Sequence, residues 1–261
     1  MRNVLLFVLM ISTIVMVCAK VKKNRQENVS DFFDGRNYIE QVSGLEMQMV
    51  YVKGGSFLLG TITKGDGYSD EYPAVEVSLD SYYIGAFEVT QKQWHIIMGD
   101  SIYDNEKLPA NGVTWNDAVL FCEKLSELSG KNYQLPTEEQ WEYAARGGKN
   151  SNNRKYSGSN DIDKVAWYST NSNKELQQVG LKKSNELGLY DMSGNVLEWC
   201  RDTYMSYSRK NDTLNKEIGN NKVLRGGCWS DYASSCRVSY RNYDFSSSKN
   251  LKNGFRVVCI P

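Results

Sequence analysis

The chain has 261 residues and carries 31 basic and 31 acidic side chains, so its formal net charge is zero. Without an excess of positive charge, it lacks the electrostatic signature of proteins that bind nucleic acid or acidic lipid. The length suffices for one large domain or two small ones, and 17 tyrosines and 21 glycines against four prolines indicate many turns and rigid aromatic rings.

The first nineteen residues have the features of a signal peptide. Arg2 supplies a positive charge, residues 4–17 are almost all apolar, and the small residues that end at Ala19 predict cleavage there. The apolar run is shorter than the roughly twenty residues that span a bilayer. Two alternatives stay open: Cys18 could carry a lipid as the first mature residue, or the segment could remain as an uncleaved anchor. The chain is therefore predicted to be exported, to the periplasm, the cell surface or the medium, and to touch a membrane only through a lipid on Cys18.

After this leader, a polar tether is predicted to precede the folded part of the chain. Residues 20–45 show no hydrophobic periodicity, whereas 46–261 contain regular patterns. The stretch 49–60 is typical of two short strands about a glycine turn. Alternation of period two then predicts strands at 75–79 and 82–85.

Three helices follow, each marked by a threonine that can cap its first turn. Thr90, Thr114 and Thr137 stand directly before runs of helix-forming residues, and Thr137 forms a capping-box pattern with Gln140. The second of these helices has apolar residues on one face and is expected to end at Gly130.

The remainder of the chain is predicted to be mostly loop up to residue 222, with strands at 223–225 and 255–258. Strands at both ends with helices between them predict an α+β domain whose termini meet in one sheet. A loop as long as 149–222 is usually functional or held by specific interactions.

Six short phrases are the most distinctive features of the sequence: 54–57 (GGSF), 87–90 (FEVT), 135–144 (LPTEEQWEYA), 185–199 (NELGLYDMSGNVLEW), 224–227 (LRGG) and 254–256 (GFR). In this order and at these spacings, they resemble the formylglycine-generating-enzyme or sulfatase-modifying-factor family. The resemblance covers about residues 46–261. It implies an elaborated C-type-lectin-like α+β fold with few regular elements and long ordered loops.

The resemblance also implies a structural calcium site. The matching ligand positions are occupied by the carboxylates of Asp191 and Glu198 and by the main-chain carbonyls of Gly194 and Val196. Hard oxygen ligands of this kind suit Ca²⁺. The alternative is that Asp191 and Asn195 only satisfy main-chain donors of a turn.

The family's copper oxidase site is incomplete in this chain. Formylglycine-generating members bind Cu(I) through two cysteines spaced C-x4-C, and the resemblance places Asp231 and Cys236 at these positions. A carboxylate is a poor ligand for Cu(I), which prefers soft thiolates, so copper is not expected. Cys228 could replace the missing ligand, form a disulfide with Cys236 or pack without a partner. Cys236 would be catalytic only if the chain were an enzyme, and the single histidine, His95, excludes a multi-histidine iron site.

The C-terminal segment 229–253 favours a binding function instead. In this segment, residues typical of a structural framework alternate with Ser, Tyr, Asp and Asn, the residue types of recognition loops. The segment resembles the variable region of retroelement-diversified C-type-lectin proteins. The alternative is that these residues simply populate a surface loop. The chain is interpreted as a ligand-binding or scaffold protein that uses this segment as its surface for a protein or glycan ligand. The competing hypothesis is a formylglycine-generating-type copper oxidoreductase that acts on a cysteine of an exported protein. The predicted ligand-binding residues are Ser230, Asp231, Tyr232, Ser234, Ser235, Tyr240, Asn242, Tyr243, Asp244 and Phe245.

Overall fold

The computed structural model describes residues 35–62, 65, 67–99, 105–207 and 219–261. The predicted signal peptide, Cys18 and the tether up to residue 34 lie outside the described residues. Residues 37–260 pack as one unit. Among the residues described, no helix has the length and apolar character needed to cross a membrane.

In the described parts of the chain, short strands greatly outnumber helices. The helices are α1 (Gln91–Met98), α2 (Trp115–Ser129) and α3 (Glu138–Ala145). The strands are β1 (Tyr38–Val42), β2 (Leu45–Val52), β3 (Gly55–Leu59), β4 (Val75–Leu79), β5 (Tyr82–Gly85), β6 (Asn132–Gln134), β7 (Leu197–Thr203), β8 (Asn221–Arg225), β9 (Arg241–Phe245), β10 (Asn253–Gly254) and β11 (Val258–Ile260). This mixed composition with few helices confirms the predicted fold class.

All three helices begin at the predicted threonine caps. The hydroxyls of Thr90, Thr114 and Thr137 each accept a hydrogen bond from the main-chain N–H three residues later. The side chain of that later residue accepts a hydrogen bond from the main-chain N–H of the threonine. The helix α2 ends at Gly130, which takes the left-handed conformation with φ of 73°. These local signals define where each helix starts.

The strands form three sheets, and the largest one joins the two ends of the domain. It has the order β1-β2-β5-β11-β6, with antiparallel neighbours, so that the C-terminal β11 lies between β5 and β6. This arrangement confirms that the termini meet in one sheet. A second sheet has the order β10-β7-β8-β9, and β3 pairs with β4 in a third. The strand β9 therefore lies at an edge.

The predicted boundary between tether and domain is wrong by one strand. The strand β1 lies within the segment 20–45 and pairs with β2. Its central Glu40 is buried and accepts hydrogen bonds from Lys131, at 2.6 Å, and from Tyr133. A search for apolar periodicity misses this strand, because a paired carboxylate takes a core position.

Two other strand predictions also differ from the structure. The pair of strands expected within 49–60 exists as β2 and β3, but the two belong to different sheets. The strand expected at 255–258 begins only at Val258, and β7 lies inside the stretch predicted to be loop. Side chains in these segments are buried on both sides, so they lack the alternation that identifies a strand.

A single amide side chain ties much of the 149–196 loop to the core. Asn185 Nδ2 donates to the carbonyl of Ala144 at 2.8 Å and to Ser157 Oγ at 3.1 Å. Its Oδ1 accepts from the N–H groups of Leu187 and Leu189, at 3.0 and 3.1 Å. The expected specific interaction is therefore present at Asn185.

Buried arginines hold the C-terminal segment in the same way. Arg225, at the end of β8, is fully buried, ion-paired with Glu142, and donates to the carbonyl of Ser239 at 3.0 Å. Arg241, at the start of β9, binds both oxygens of Glu138, at 2.6 and 2.9 Å. These buried ion pairs therefore fix the connection between β8 and β9 on the side that faces the core. Its other side faces solvent.

Candidate functional site

The turn that carries the predicted calcium ligands has an unusual main chain. Asp191, Gly194 and Asn195 all have positive φ, of 56°, 82° and 60°. A Cβ atom at Gly194 would lie 2.1 Å from the carbonyl oxygen of Trp167, so only glycine fits there. Asp191 Oδ2 accepts from the N–H of Gly180 at 2.7 Å, whereas its buried Oδ1 has no hydrogen-bond partner in the structure. One carboxylate oxygen therefore remains available to a further ligand.

The second predicted carboxylate, Glu198, is already bound on both oxygens. Arg256 donates to each of them at 2.7 Å, and Trp141 Nε1 donates to Oε2 at 2.8 Å. The same guanidinium also donates to the carbonyls of Gly85, at 3.0 Å, and Tyr190, at 2.8 Å. Arg256 thus links the turn to the large sheet.

Glu88 is a member of this cluster that the sequence analysis did not identify. Its carboxylate accepts from Asn195 Nδ2 at 2.6 Å and from the N–H of Val196 at 3.1 Å. It is buried, as are Asp191 and Glu198. The signal for Glu88 in the sequence is its position in the phrase 87–90, which contributes to the family resemblance. Hydrophobic periodicity gives no signal for it.

This cluster has more negative than positive charge. Three buried carboxylates, those of Glu88, Asp191 and Glu198, face the Arg256 guanidinium. Burial raises the pKa of Asp191 to about 6, a shift that Glu198 increases and that the Gly180 N–H and Arg256 oppose. Burial, Asp191 and Glu198 also raise the pKa of Glu88 well above its usual range. Either protonation or a bound cation would relieve the excess charge.

The donors fit a hard cation in part. The unpartnered Asp191 Oδ1 is the kind of oxygen that calcium binds, and the carbonyls of Gly194 and Val196 belong to the same turn. Glu198 would have to share its carboxylate with Arg256. Within the described residues, no three side chains of His, Cys, Asp or Glu are arranged as a metal site, so a cation here would depend on main-chain oxygens.

The cysteine chemistry of an oxidase is disfavoured by the surroundings of Cys236. Its thiol is fully buried, and burial, Asp231 and Cys228 raise its pKa above the usual range. Burial and Asp231 likewise raise the pKa of Cys228 to about 11. Both are free thiols, and Asp231 Oδ2 accepts from the N–H of Cys228 at 3.1 Å. Asp231 thus stabilises a turn, and both pKa shifts favour the protonated thiol over the thiolate in the metal-free chain.

The predicted ligand-binding residues fall on two sides of the edge strand β9. Tyr243 and Phe245 share one face, and Asn242 and Asp244 share the other. The ring of Tyr243 packs against that of Tyr204, with centroids 4.4 Å apart. Tyr204 was not found from the sequence, because it lies outside the segment that carries the recognition-type residues.

Two of the predicted contact residues bind the chain itself. Asn242 Oδ1 accepts from the N–H of Tyr243, and Asp244 Oδ1 accepts from the N–H of Phe245, both at 2.8 Å. These bonds occupy main-chain donors on an edge strand, a position where free donors invite strand pairing. Asp244 also accepts from Asn253 at 3.1 Å. Both side chains therefore stabilise the conformation of the surface instead of projecting from it.

The remaining predicted residues surround the short 3-10 helix Ala233–Cys236. Tyr232 is the most exposed of the large apolar side chains here, at 79%, and Ser234 is exposed beside it. Ser235 hydrogen-bonds to Tyr240, whose ring packs edge-on against Tyr68 at 5.8 Å. The half-buried Ser230 lies 3.3 Å from the sulfur of Cys228. The exposed members of the set are therefore three aromatic residues and Ser234, and the others support them.

Comparison with known proteins agrees with this architecture. The family described as sulfatase-modifying factor enzyme 1-like domain matches residues 37–260. The chain is 33% identical over 262 residues to chaperone protein LppX of Paenibacillus barcinonensis, across 80% of this chain and 88% of that protein. It is 27% identical over 278 residues to inactive C-alpha-formylglycine-generating enzyme 2 of Mus musculus, across 80% and 84% of the two chains.

A solved structure gives the same result for the fold. Treponema denticola variable protein 1 superposes with a TM-score of 0.76 and 30% identity, across 86% of this chain and 99% of that one. The chain belongs to the sulfatase-modifying-factor family, the family of the formylglycine-generating enzymes.

Proposed function

We propose that this chain is an exported, non-catalytic binding domain that holds a protein ligand on its C-terminal surface, defined here as Tyr232, Ser234, Tyr243 and Phe245. The observation that carries the proposal is the exposure of three aromatic rings on a rigid support. A relative named a chaperone protein favours a protein over a glycan as the ligand. Export rests on the signal-like leader.

The C-terminal surface suits binding because its three rings are exposed and one of them is packed against the fold. Tyr232 and Phe245 are 79% and 61% exposed. Tyr243 is stacked on Tyr204, whose hydroxyl donates to Asp70 at 2.6 Å. Aromatic side chains held in this way contribute contact area with little loss of conformational entropy, and such residues dominate the binding energy of protein interfaces.

The competing function, a copper oxidoreductase, requires reactive sulfur. Cys236 has a buried thiol with a raised pKa, and the residue at the other ligand position is Asp231. Relatives named inactive formylglycine-generating enzyme 2 favour the same interpretation. We therefore assign no catalytic role to Cys236.

Calcium is part of the proposal as a structural ion. Asp191, with the carbonyls of Gly194 and Val196, would bind it, and Glu198 would contribute its carboxylate alongside Arg256. The excess negative charge of the buried cluster supports a divalent cation at this position. Calcium would stabilise the turn and take no part in chemistry.

Site-directed photo-crosslinking in the native host tests the binding surface. A photoreactive amino acid at position 245 is expected to give a discrete protein adduct, because that side chain is 61% exposed and shares its face of β9 with the exposed ring of Tyr243. The same amino acid at position 128, an exposed site on α2, should give none. With the purified partner, Tyr232→Ala/Phe245→Ala should weaken binding by at least about 30-fold, or about 2 kcal/mol.

The matched control is Leu120→Ala/Leu128→Ala, which removes two exposed apolar side chains from α2. This variant should bind the partner as the unmodified chain does. Equal adducts at positions 128 and 245, or an unchanged affinity for the Tyr232 and Phe245 variant, would contradict the proposed surface.

A further inference from the structure

A cavity of about 760 Å³ lies beside the C-terminal segment, apart from the exposed rings. Its walls come from β3 and the residues after it, from α3, from the loop at 148–160 and from the stretch 237–239. The volume is in the range of pockets that enclose small organic molecules. The cavity is therefore a second candidate binding site, with a chemistry that its lining residues determine.

The charged residues that line the cavity all have the same sign. Among the described residues in contact with it, none is an aspartate or glutamate. This is a local property, because the whole chain has no net charge. The basic lining residues are Arg146, Arg154, Lys155 and Arg237.

Two of these cations are fixed by acids behind the wall. Arg146 Nε donates to Glu142 at 2.8 Å, and Arg237 binds both oxygens of Glu71 at 2.6 Å. Arg146 also donates to the carbonyl of Gly60 at 2.7 Å, which ties the end of β3 to α3. These ion pairs make the walls of the cavity rigid, and the two acids largely neutralise the charges of Arg146 and Arg237.

The other two cations keep most of their charge for a ligand. Arg154 is 42% exposed and only 3.6 Å from Glu186, a loose contact in water. Lys155 is exposed, while its main chain is fixed by bonds from Val238 N–H to its carbonyl, at 3.1 Å, and from its N–H to Asn160, at 2.9 Å. Two cations on an ordered loop thus present donors at the cavity, and the contact of Arg154 with Glu186 is longer than the ion pairs of Arg146 and Arg237.

Apolar side chains complete the lining. Phe57, Leu58 and Ile62 border the cavity, and Ile62 is 73% exposed. The ring of Phe57 packs on that of Tyr143, with centroids 5.2 Å apart, so this wall is firm. An apolar body placed here would cover surface that now faces water.

We propose that this cavity binds an organic anion, with a carboxylate or phosphate held by Arg154 and Lys155 and an apolar body against Phe57, Leu58 and Ile62. Guanidinium and ammonium groups bind both anions by charge-assisted hydrogen bonds. The proposal is independent of the C-terminal surface, because none of the four residues that define that surface lines the cavity. The class of ligand is a small acid with an aromatic or aliphatic portion.

Titration of the full mature chain with four probes, followed by amide NMR shifts and calorimetry, tests the proposal. The probes are 3-phenylpropionate, phenyl phosphate, the neutral 3-phenylpropionamide and inorganic phosphate. At least one organic anion should bind with a Kd of about 1 mM or tighter, and the amide and inorganic phosphate should each bind at least about 10-fold more weakly. The shifted amides should include those of Ser151 and Val238, which line the cavity.

Arg154→Gln/Lys155→Gln should weaken anion binding by at least about 10-fold and leave the thermal midpoint unchanged, because both side chains are solvent-exposed. The charge-matched control Lys164→Gln/Lys183→Gln, whose side chains do not line the cavity, should bind as the unmodified chain does. Equal binding of the amide and the acid, full binding by the Arg154 and Lys155 variant, or no binding of either organic anion would overturn the proposal. Inorganic phosphate that binds as tightly as phenyl phosphate would overturn the role of the apolar wall.

Discussion

Replacing Arg256 by methionine should lower the free energy of unfolding by about 3–5 kcal/mol, the cost of removing one partner from a buried ion pair. Both oxygens of Glu198 would lose their guanidinium donors, and the negative charge of Asp191 would lose the cation that faces it. Urea denaturation in the presence of a calcium chelator measures the change. A loss below about 1 kcal/mol would contradict the view that Arg256 neutralises the cluster.

Two variants keep this prediction testable if the methionine variant does not fold. Glu198→Gln should lose less stability, because it keeps the shape of the side chain and reduces the excess negative charge, although its amide nitrogen cannot accept the bond that one carboxylate oxygen now accepts. Arg154→Met removes a loosely paired, exposed arginine and should cost less than about 1 kcal/mol. If Glu198→Gln were as damaging as Arg256→Met, packing would matter more than charge at this site.

Replacing Asp191 by asparagine should remove a pH dependence of stability between about pH 4 and 6. The pKa of Asp191 is raised from 3.8 to about 6, so the folded chain holds a proton that the unfolded chain has released in this window. Stability from this group is thus present below pH 4 and is lost as the pH rises through 6. Near pH 7 the metal-free chain should have lost about 2 kcal/mol relative to its value near pH 4, a loss that the variant avoids.

Asparagine suits this position because Asp191 has a left-handed main chain, which asparagine tolerates well. The measurement is the difference in free energy of unfolding between the two chains, followed from pH 4 to 7.5 with a chelator present. Asp163→Asn, at an exposed site, is the control and should follow the unmodified chain. Parallel curves for the unmodified and Asp191 chains would contradict the raised pKa.

The parts of the fold that follow from local signals could be predicted from the sequence. The caps at Thr90, Thr114 and Thr137 fix the helix starts, because each satisfies main-chain donors within its own first turn. The meeting of the termini followed from the positions of the strands. The phrase at 185–199 identified the family and the buried turn, since that pattern is too specific to arise from secondary structure alone.

What could not be predicted depends on pairs that are far apart in the chain. The strand β1 is stabilised by Glu40 with Lys131 and Tyr133, about ninety residues away. Glu88 likewise accepts a hydrogen bond from Asn195, which lies 107 residues further along the chain. Periodicity treats such side chains as polar and exposed, because it contains no information about the partner that makes their burial favourable.

The same limit applies to the two candidate binding sites. The residue types at 230–245 indicated a surface, but Asn242 and Asp244 turned out to bind the main chain of β9. The cavity joins segments as distant as β3 and the stretch 237–239, and no single stretch of sequence carries a signal for it. Sites made from one segment can be proposed from composition, whereas sites made from several need the fold.

The most direct test of the central claim, that this member of the family is a binding domain without an oxidase centre, is the metal content of the purified mature chain. Elemental mass spectrometry after exposure to Cu(I) and Ca²⁺ should find one calcium ion that Asp191→Asn removes, and no stoichiometric copper. Copper bound at one ion per chain and lost on Cys236→Ser would contradict the claim and restore the oxidase.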